Sequence, residues 1–195
     1  MAFWSNNFSE DTSIKDPKRK FRFIVKLNAL QKDGGQLWYA KTANKPSFTI
    51  AAAEHKYLNH TFYYPGSVTW NDVVITLVDP VEPDSTATLA GIVQQAGYKP
   101  PTTANDLTTM SKATAANALG AVTVEQIAGD GTVLETWTLW NSFITDLKFG
   151  DLEYGGDDLT ELSVTLKYDW AQLEVTSEGG SDLKTSEKKF FAVNS

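Results

Sequence analysis

The side chains in this 195-residue chain best suited to proton transfer or metal binding are two histidines, His55 and His60. Five residues apart, they fall on opposite faces of a continuous strand and miss the i, i+4 spacing of a helical metal pair. Surface or hydrogen-bonded histidines fit that spacing better than ligands or catalytic bases. Asp151, Glu153, Asp157 and Asp158 surround Gly155-Gly156 and offer the oxygen ligands that calcium takes, but not at the spacing of an EF-hand loop. A solvated turn between strands is the favoured reading there, and Asp130-Gly131 reads as turn chemistry. The chain contains no cysteine, which removes disulfides, thiolate zinc sites and cysteine nucleophiles together. It has no phosphate-binding glycine loop followed by Lys-Ser/Thr and no G-x-S-x-G elbow. Six tryptophans and ten phenylalanines raise the possibility of a sugar-binding face, yet most lie on alternating strands, where core packing is the ordinary explanation. The sequence therefore predicts no enzyme: no catalytic, cofactor-binding or metal-ligating residue is assigned, and no cofactor.

Length and charge narrow the class further. At 21.5 kDa the chain fits one domain with extensions. A chain of this size buries roughly 70% of its unfolded surface and needs no staple. The net charge of −7 argues against a protein that grips nucleic acid by neutralising phosphates. It is compatible with a surface past which DNA slides. No apolar run approaches the ~20 residues of a membrane span. The first residues, MAFWSNNFSED, lack a basic region followed by an apolar one, so synthesis and assembly in the cytoplasm are expected.

The elements that must carry these residues read mostly as strands. Over Lys56 to Pro80, KYLNHTFYYPGSVTWNDVVITLVDP, the pattern predicts a strand, a tight turn at Tyr64-Pro65-Gly66-Ser67, and a second strand closed by Asp79-Pro80. Proline presets φ at the first central position of a type II turn, and glycine accepts the positive φ at the second. Val73, Ile75 and Leu77 then recur at every second position, the period of a strand with a buried face. Upstream, Phe21, Phe23, Val25 and Leu27 alternate with Arg22, Ile24 and Lys26; Lys32 to Gly35 is a turn, and Leu37 to Ala40 a returning arm. Ile50 to His55 is the least strand-like run: either the tip or flank of a long hairpin over Phe48 to Tyr63, or a surface loop.

Ser85 to Gly97 is the best helix, with Leu89, Ile92, Val93 and Ala96 on one face, Asp84 or Ser85 as cap and Gly97 as stop. Leu107 to Leu119 is a weaker helical candidate, left open by its threonines. Ala121 to Ile127 and Val133 to Trp140 flank an Asp130-Gly131 hairpin turn. Phe143 to Phe149 alternates again, and Thr160 to Trp170 is the cleanest amphipathic strand. The fold class is mainly β: a two-sheet β-sandwich or barrel with one flanking α-helix at about 85–97 and extended terminal arms. The expected boundaries are an N-terminal arm 1–19, a single β domain 20–175 and a C-terminal arm 176–195. Phe3, Trp4 and Phe8 stand among polar residues and suit an arm that orders on a neighbouring subunit, against the alternative of a disordered terminus. Phe190 and Phe191 suit a docking arm at the other end.

The tyrosine-rich strand, Pro65-Gly66, Trp70 and the strand ending at Asp79 resemble the tail tube protein of contractile-tailed bacteriophages. Trp137 to Trp170 is similar to that family's C-terminal half, through Phe149-Gly150-Asp151-Leu152-x-Tyr154 and the long alternating strand ending Tyr168-Asp169. Together the two segments cover about a third of the chain. The resemblance implies a virion structural protein of the phage tail: hexameric rings with β-lined channels, stacked into an inner tail tube through which the genome passes. The implied partners are further copies of itself and the tail sheath, baseplate and terminator proteins, with DNA passing through the lumen without specific binding. In that family a long hairpin reaches toward the next ring. The expected inter-subunit contacts are therefore Phe48, Ile50, Ala52, Glu54 and Lys56, joined by Phe3, Trp4, Phe8, Phe190 and Phe191 in the arms. The tube of contractile bacteriocins and the ring-forming hemolysin-coregulated protein of type VI secretion share this fold. An inner tube of a phage-like contractile injection or type VI secretion machine is thus the alternative. The rival from another class is a soluble carbohydrate-binding β-sandwich module.

Overall fold

The computed structural model describes residues 17–30, 39–102, 109–177 and 186–192. Among them, eleven strands and two α-helices follow one another: β1 (Phe23–Leu27), β2 (Ala40–Ala43), β3 (Phe48–Tyr57), β4 (His60–Trp70), β5 (Val73–Val78), α1 (Ser85–Gln95), α2 (Lys112–Leu119), β6 (Val122–Ile127), β7 (Val133–Trp140), β8 (Phe143–Lys148), β9 (Glu161–Lys167), β10 (Trp170–Ser177) and β11 (Ser186–Phe190). A single 3-10 turn, Asn28–Leu30, follows β1. One sheet runs β1-β6-β7-β10-β11, a second runs β2-β5-β9-β8, and β3 and β4 pair only with each other. Every pairing is antiparallel. The fold is thus mainly β, as expected, with an open two-sheet sandwich and no closed barrel.

Alternation decides which faces meet. On β5 and β9, Val73, Ile75 and Leu77 stand directly opposite Leu166, Val164 and Leu162, and all six are fully buried. The facing sheet contributes Val25, Leu27, Val122, Leu139 and Ala171 to the same core. Each large side chain so buried stabilises the fold by about 1.5–3 kcal/mol relative to exposure. Leu89, Ile92 and Leu119 bring the two helices onto this core, where they pack beside β8 and the 3-10 turn.

Both helices owe their starts to side chains. Asp84 caps α1, its Oδ1 accepting from the Ala87 N–H at 2.9 Å, and Gly97 beyond the end takes φ 108°. The weaker helical candidate forms over Lys112–Leu119 with a reciprocal cap. Ser111 Oγ accepts from the Thr114 N–H at 3.2 Å, and Thr114 Oγ1 accepts from the Ser111 N–H at 3.2 Å. A threonine that lowers helix propensity here supplies the cap. Between β6 and β7, Asp130 Oδ1 accepts from the Thr132 N–H at 3.0 Å, and Gly131 sits at φ 89°, the expected hairpin chemistry.

The chain changes sheet twice at one corner. β7 passes to β8 through Asn141-Ser142, and β9 returns to β10 through Tyr168-Asp169. Lys112 Nζ donates to both carboxylate oxygens of Asp169 at 2.7 and 2.6 Å, and Asn141 Nδ2 donates to one at 2.8 Å. Lys112 first, then Asn141, hold the Asp169 carboxyl below its ordinary pKa. Trp140 and Trp170 stack across the corner, centroids 5.8 Å apart and planes 12° from parallel. The single strand expected over Thr160 to Trp170 is therefore corrected: it ends at Lys167 and a new strand begins at Trp170. Buried Tyr168 keeps the alternation going through the bend, so the period conceals it. Phe21, expected inside the first strand, precedes β1 and lies exposed under the Arg22 guanidinium, 5.5 Å from its ring centre. The turn Lys32 to Gly35, the first half of the returning arm (Leu37 and Trp38), and most of the N-terminal arm lie outside the described residues, while Tyr39 is buried in the core and Ala40 opens β2.

Candidate interaction surface

The β3–β4 hairpin is the element the sandwich leaves uncovered. Ten residues of β3 at ~3.3 Å each make a ribbon about 33 Å long. Its turn is Leu58-Asn59, with Leu58 at φ 54°. This overturns the expected turn at Tyr64 to Ser67: Pro65 and Gly66 lie inside a strand, at a bulge. Ile50 pairs with Val68 and Ala52 with Pro65, so β4 carries one residue more than β3 across that step. Gly66 serves close approach and not positive φ, since a Cβ there would stand 3.0 Å from the Ala51 carbonyl oxygen. Pro65 is tolerated because, among the described residues, no strand pairs with either outer edge of the ribbon. Ile50 to His55 is the flank of this hairpin.

Directly paired residues share a face, so the register sorts the side chains. Phe48, Ile50, Ala52, Glu54 and Lys56 line one face of β3, and Thr49, Ala51, Ala53, His55 and Tyr57 the other. Near the root the first face is apolar, with Phe48 opposite Trp70 and Ile50 opposite Val68. Past the bulge that face carries Glu54 opposite Tyr63 and Lys56 opposite Thr61. There most of the aromatic side chains lie on the second face: Tyr64 opposite Ala53, Phe62 opposite His55, and His60 opposite Tyr57, with Tyr63 alone beside Glu54 on the first. The apolar side of the ribbon thus changes face at the bulge. His55 and His60, expected on opposite faces, share this second face because the turn lies between them. The His60 ring stands against Phe62, centroids 4.6 Å apart. Tyr57 is 64% exposed, Leu58 88% and Phe62 44%.

At the root, Phe48, Ile50, Val68, Trp70, Trp170 and Phe191 line an apolar groove of about 540 Å³. Phe191 reaches it from the far end of the chain, just after β11. Its ring lies 5.8 Å from Phe48 and 5.6 Å from Trp70, which are themselves 5.1 Å apart. Its backbone has φ 60°, a left-handed conformation that a bulky residue adopts only when its surroundings hold it there. Tyr168 lies behind, 5.9 Å from Trp70, and burial pushes its hydroxyl up to about 12.

A larger cleft of about 1020 Å³ flanks the root on its other side. Three of its lysines are engaged. Lys18 and Lys45 both hold the buried carboxylate of Glu135, Lys45 also meets Gln126, and Lys41 holds Glu161. That cleft is a seam tying the described N-terminal residues, the hairpin root and the five-stranded sheet together.

Of the expected contact residues, the structure brings Phe48, Ile50 and Phe191 into one groove. Ala52, Glu54 and Lys56 continue along the same face toward the tip. Phe190 pairs with Leu173 at the end of β11 and does not line the groove. Phe3, Trp4 and Phe8 lie outside the described residues. The sequence reading missed Val68, Trp70 and Trp170 in the groove, and Tyr57, Phe62 and Tyr64 near the tip. Their signal was Phe62-Tyr63-Tyr64, which puts aromatic side chains on both faces of one strand. Among the described residues, no three His, Asp or Glu side chains are grouped to hold a metal, the loop of Asp151 to Asp158 included. No described helix is long and apolar enough to cross a membrane.

In sequence, the chain matches no family model and no curated protein. In fold it is similar to solved components of contractile injection systems. A chain of the anti-feeding prophage cap, which terminates that tube, superposes with TM-score 0.62 over 90% of this chain and 99% of its own, at 18% identity. A chain of the PVC sheath–tube complex in its extended state gives 0.60 over 83% and 94%, at 16% identity. A chain of the anti-feeding prophage baseplate, symmetrised six-fold, gives 0.60 over 82% and 96%, at 13% identity. The protein therefore shares its fold with chains of phage-tail-like contractile particles, which fits the resemblance carried by its two sequence segments.

Proposed function

We propose that this protein is the repeating subunit of a tail-type inner tube: copies join in hexameric rings, the rings stack, and the channel passes a genome. The observation that carries this reading is a ribbon some 33 Å long, with neither edge paired among the described residues, projecting from a sandwich whose fold is shared with chains of contractile injection systems. A two-stranded hairpin is marginal in water by itself, and open strand edges invite pairing with another chain. A ribbon about 10 Å wide exposes roughly 650 Å² on its two faces. Covering both removes roughly 1,300 Å² in all, above the ~1,000 Å² of a specific interface. Six-fold order is supported by the symmetry of the baseplate that contains one of its structural neighbours.

In this reading residues 20–175 build the ring, and residues 1–19 and 176–195, with Phe3, Trp4, Phe8 and Phe190, act as docking arms. Sheath, baseplate and terminator proteins are the expected partners. DNA passes without specific contact, as the net charge of −7 favours, and the assembled particle is a phage tail built in the host cytoplasm. No step of this function requires catalysis. The neighbours being parts of injection systems favours a second reading, in which the same tube serves a phage-like injection machine and carries protein cargo.

Negative-stain electron microscopy of the purified protein over a concentration series tests the proposal. Rings or hollow rods of uniform width are expected, at high concentration or on adding preformed baseplates. Monodisperse small particles under both conditions would overturn it. Packaged DNA or protein inside purified particles separates phage from injection machine.

A further inference from the structure

We infer that the apolar groove at the hairpin root of one copy seats the aromatic face of the hairpin tip of a second copy. This rests on the tube reading and specifies which two surfaces of the chain meet. The starting observation is the change of face at the bulge. The root presents Phe48, Ile50, Val68 and Trp70 on one face, and the tip presents Tyr57, His60, Phe62 and Tyr64 on the other, while Tyr63 stays beside Glu54 and Lys56 on the first. Both strips are exposed apolar surface of the kind that marks contact sites. They lie about seven residues apart along the ribbon, roughly 23 Å. A tip cannot fold back onto its own groove without breaking the hydrogen-bond ladder that defines the ribbon. A second copy meets no such obstacle.

The groove also selects the face it takes. Its six lining side chains are all apolar, so the Glu54 and Lys56 face of a tip would lose its water there with nothing to replace it. The aromatic face loses none, because the Tyr57 and Tyr64 hydroxyls and the histidine ring nitrogens sit on side chains long enough to reach the groove's open rim. Glu54 and Lys56 cancel in charge, so the acidic character of the whole chain does not oppose the approach of the tip. The contact joins two different patches and is therefore heterologous. Repeated, it closes into a ring or continues as a helix, and it does not stop at a two-fold dimer.

The absence of cysteine makes the test direct. Two exposed positions serve: Phe62→Cys on the tip face and Val68→Cys at the groove. Mixed and oxidised under conditions where wild-type assemblies are seen by microscopy, the two single variants are expected to form a disulfide-linked heterodimer. A seated pair experiences an effective concentration of order mM against µM in free solution, so linkage should run about a hundredfold or more faster than for unassembled protein. The double variant should give a ladder of linked oligomers. Near-UV circular dichroism of the six tryptophans checks that each variant is folded; should Phe62→Cys fail that check, Tyr64→Cys on the same face replaces it.

Linkage of Phe62→Cys to itself would mean that tips pack on tips and would overturn the inference. So would linkage of Trp4→Cys to Val68→Cys in place of the tip, which would give the groove to the N-terminal segment. Assemblies that form without any tip-to-groove linkage would sink the inference and leave the tube reading standing. No assemblies from wild type, alone or on baseplates, would sink both.

Discussion

Among the described residues, Glu135 is the one carboxylate buried between two lysines, and it fixes three segments at once. Burial by itself would raise its pKa, but the hydrogen bonds from Lys18 and Lys45 outweigh burial and hold the carboxyl below its ordinary value. A carboxyl lowered in the folded state contributes stability that is present above its unfolded pKa and lost as pH falls through the folded one. Glu135→Gln is accordingly expected to cost about 1–2 kcal/mol at pH 7, since the half-exposed lysines recover water. The same variant should flatten the loss of stability below about pH 4.5, and urea unfolding at pH 7, 5, 4 and 3 measures both. An acid limb as steep as in wild type would show that other groups govern it. Tyr168 works at the opposite end of the scale. Its raised hydroxyl stabilises the fold below pH 10, and that contribution fades as pH climbs toward about 12.

Elements that touch the core were readable because water is present on one side only. On β5 and β9 the buried side chains fall at strict period two, and α1 announces itself by its apolar stripe and Asp84 cap. The hairpin has no dry side in the free chain, so no period marks it, and Pro65-Gly66 carries the residue types of a tight turn although it forms a bulge. The groove was harder still, because it joins Phe48, Trp170 and Phe191, which no local pattern relates. The same absence of cover makes a kinetic expectation. Amides of β3 and β4 beyond the bulge should exchange with solvent far faster than those of β5 and β9, because few buried contacts back them. Hydrogen exchange on the free protein measures this, and protection should appear on assembly. Equal protection of β4 and β9 in the free chain would show that the ribbon is held by contacts within one copy.

On the scale of the whole molecule, the sandwich buries its own core while the ribbon stays exposed, and the proposed tube assigns that exposed ribbon to a neighbouring copy. Deleting residues 1–10 removes Phe3, Trp4 and Phe8 and leaves every core side chain among the described residues in place, and it is expected to leave the unfolding midpoint within experimental error while blocking extension of the proposed tube. Normal-length tubes from that deletion, seen by microscopy, would remove the N-terminal segment from the assembly scheme. The uncovered ribbon finally bears on time. The first two copies to meet must hold their hairpins straight without neighbours to brace them, so early clusters are short-lived and rare. A copy arriving at an existing end finds hairpins already braced and stays. If the proposed tube forms, its growth is expected to follow a lag that a small number of seeds abolishes, so that the supply of seeds would set when and how many tubes form.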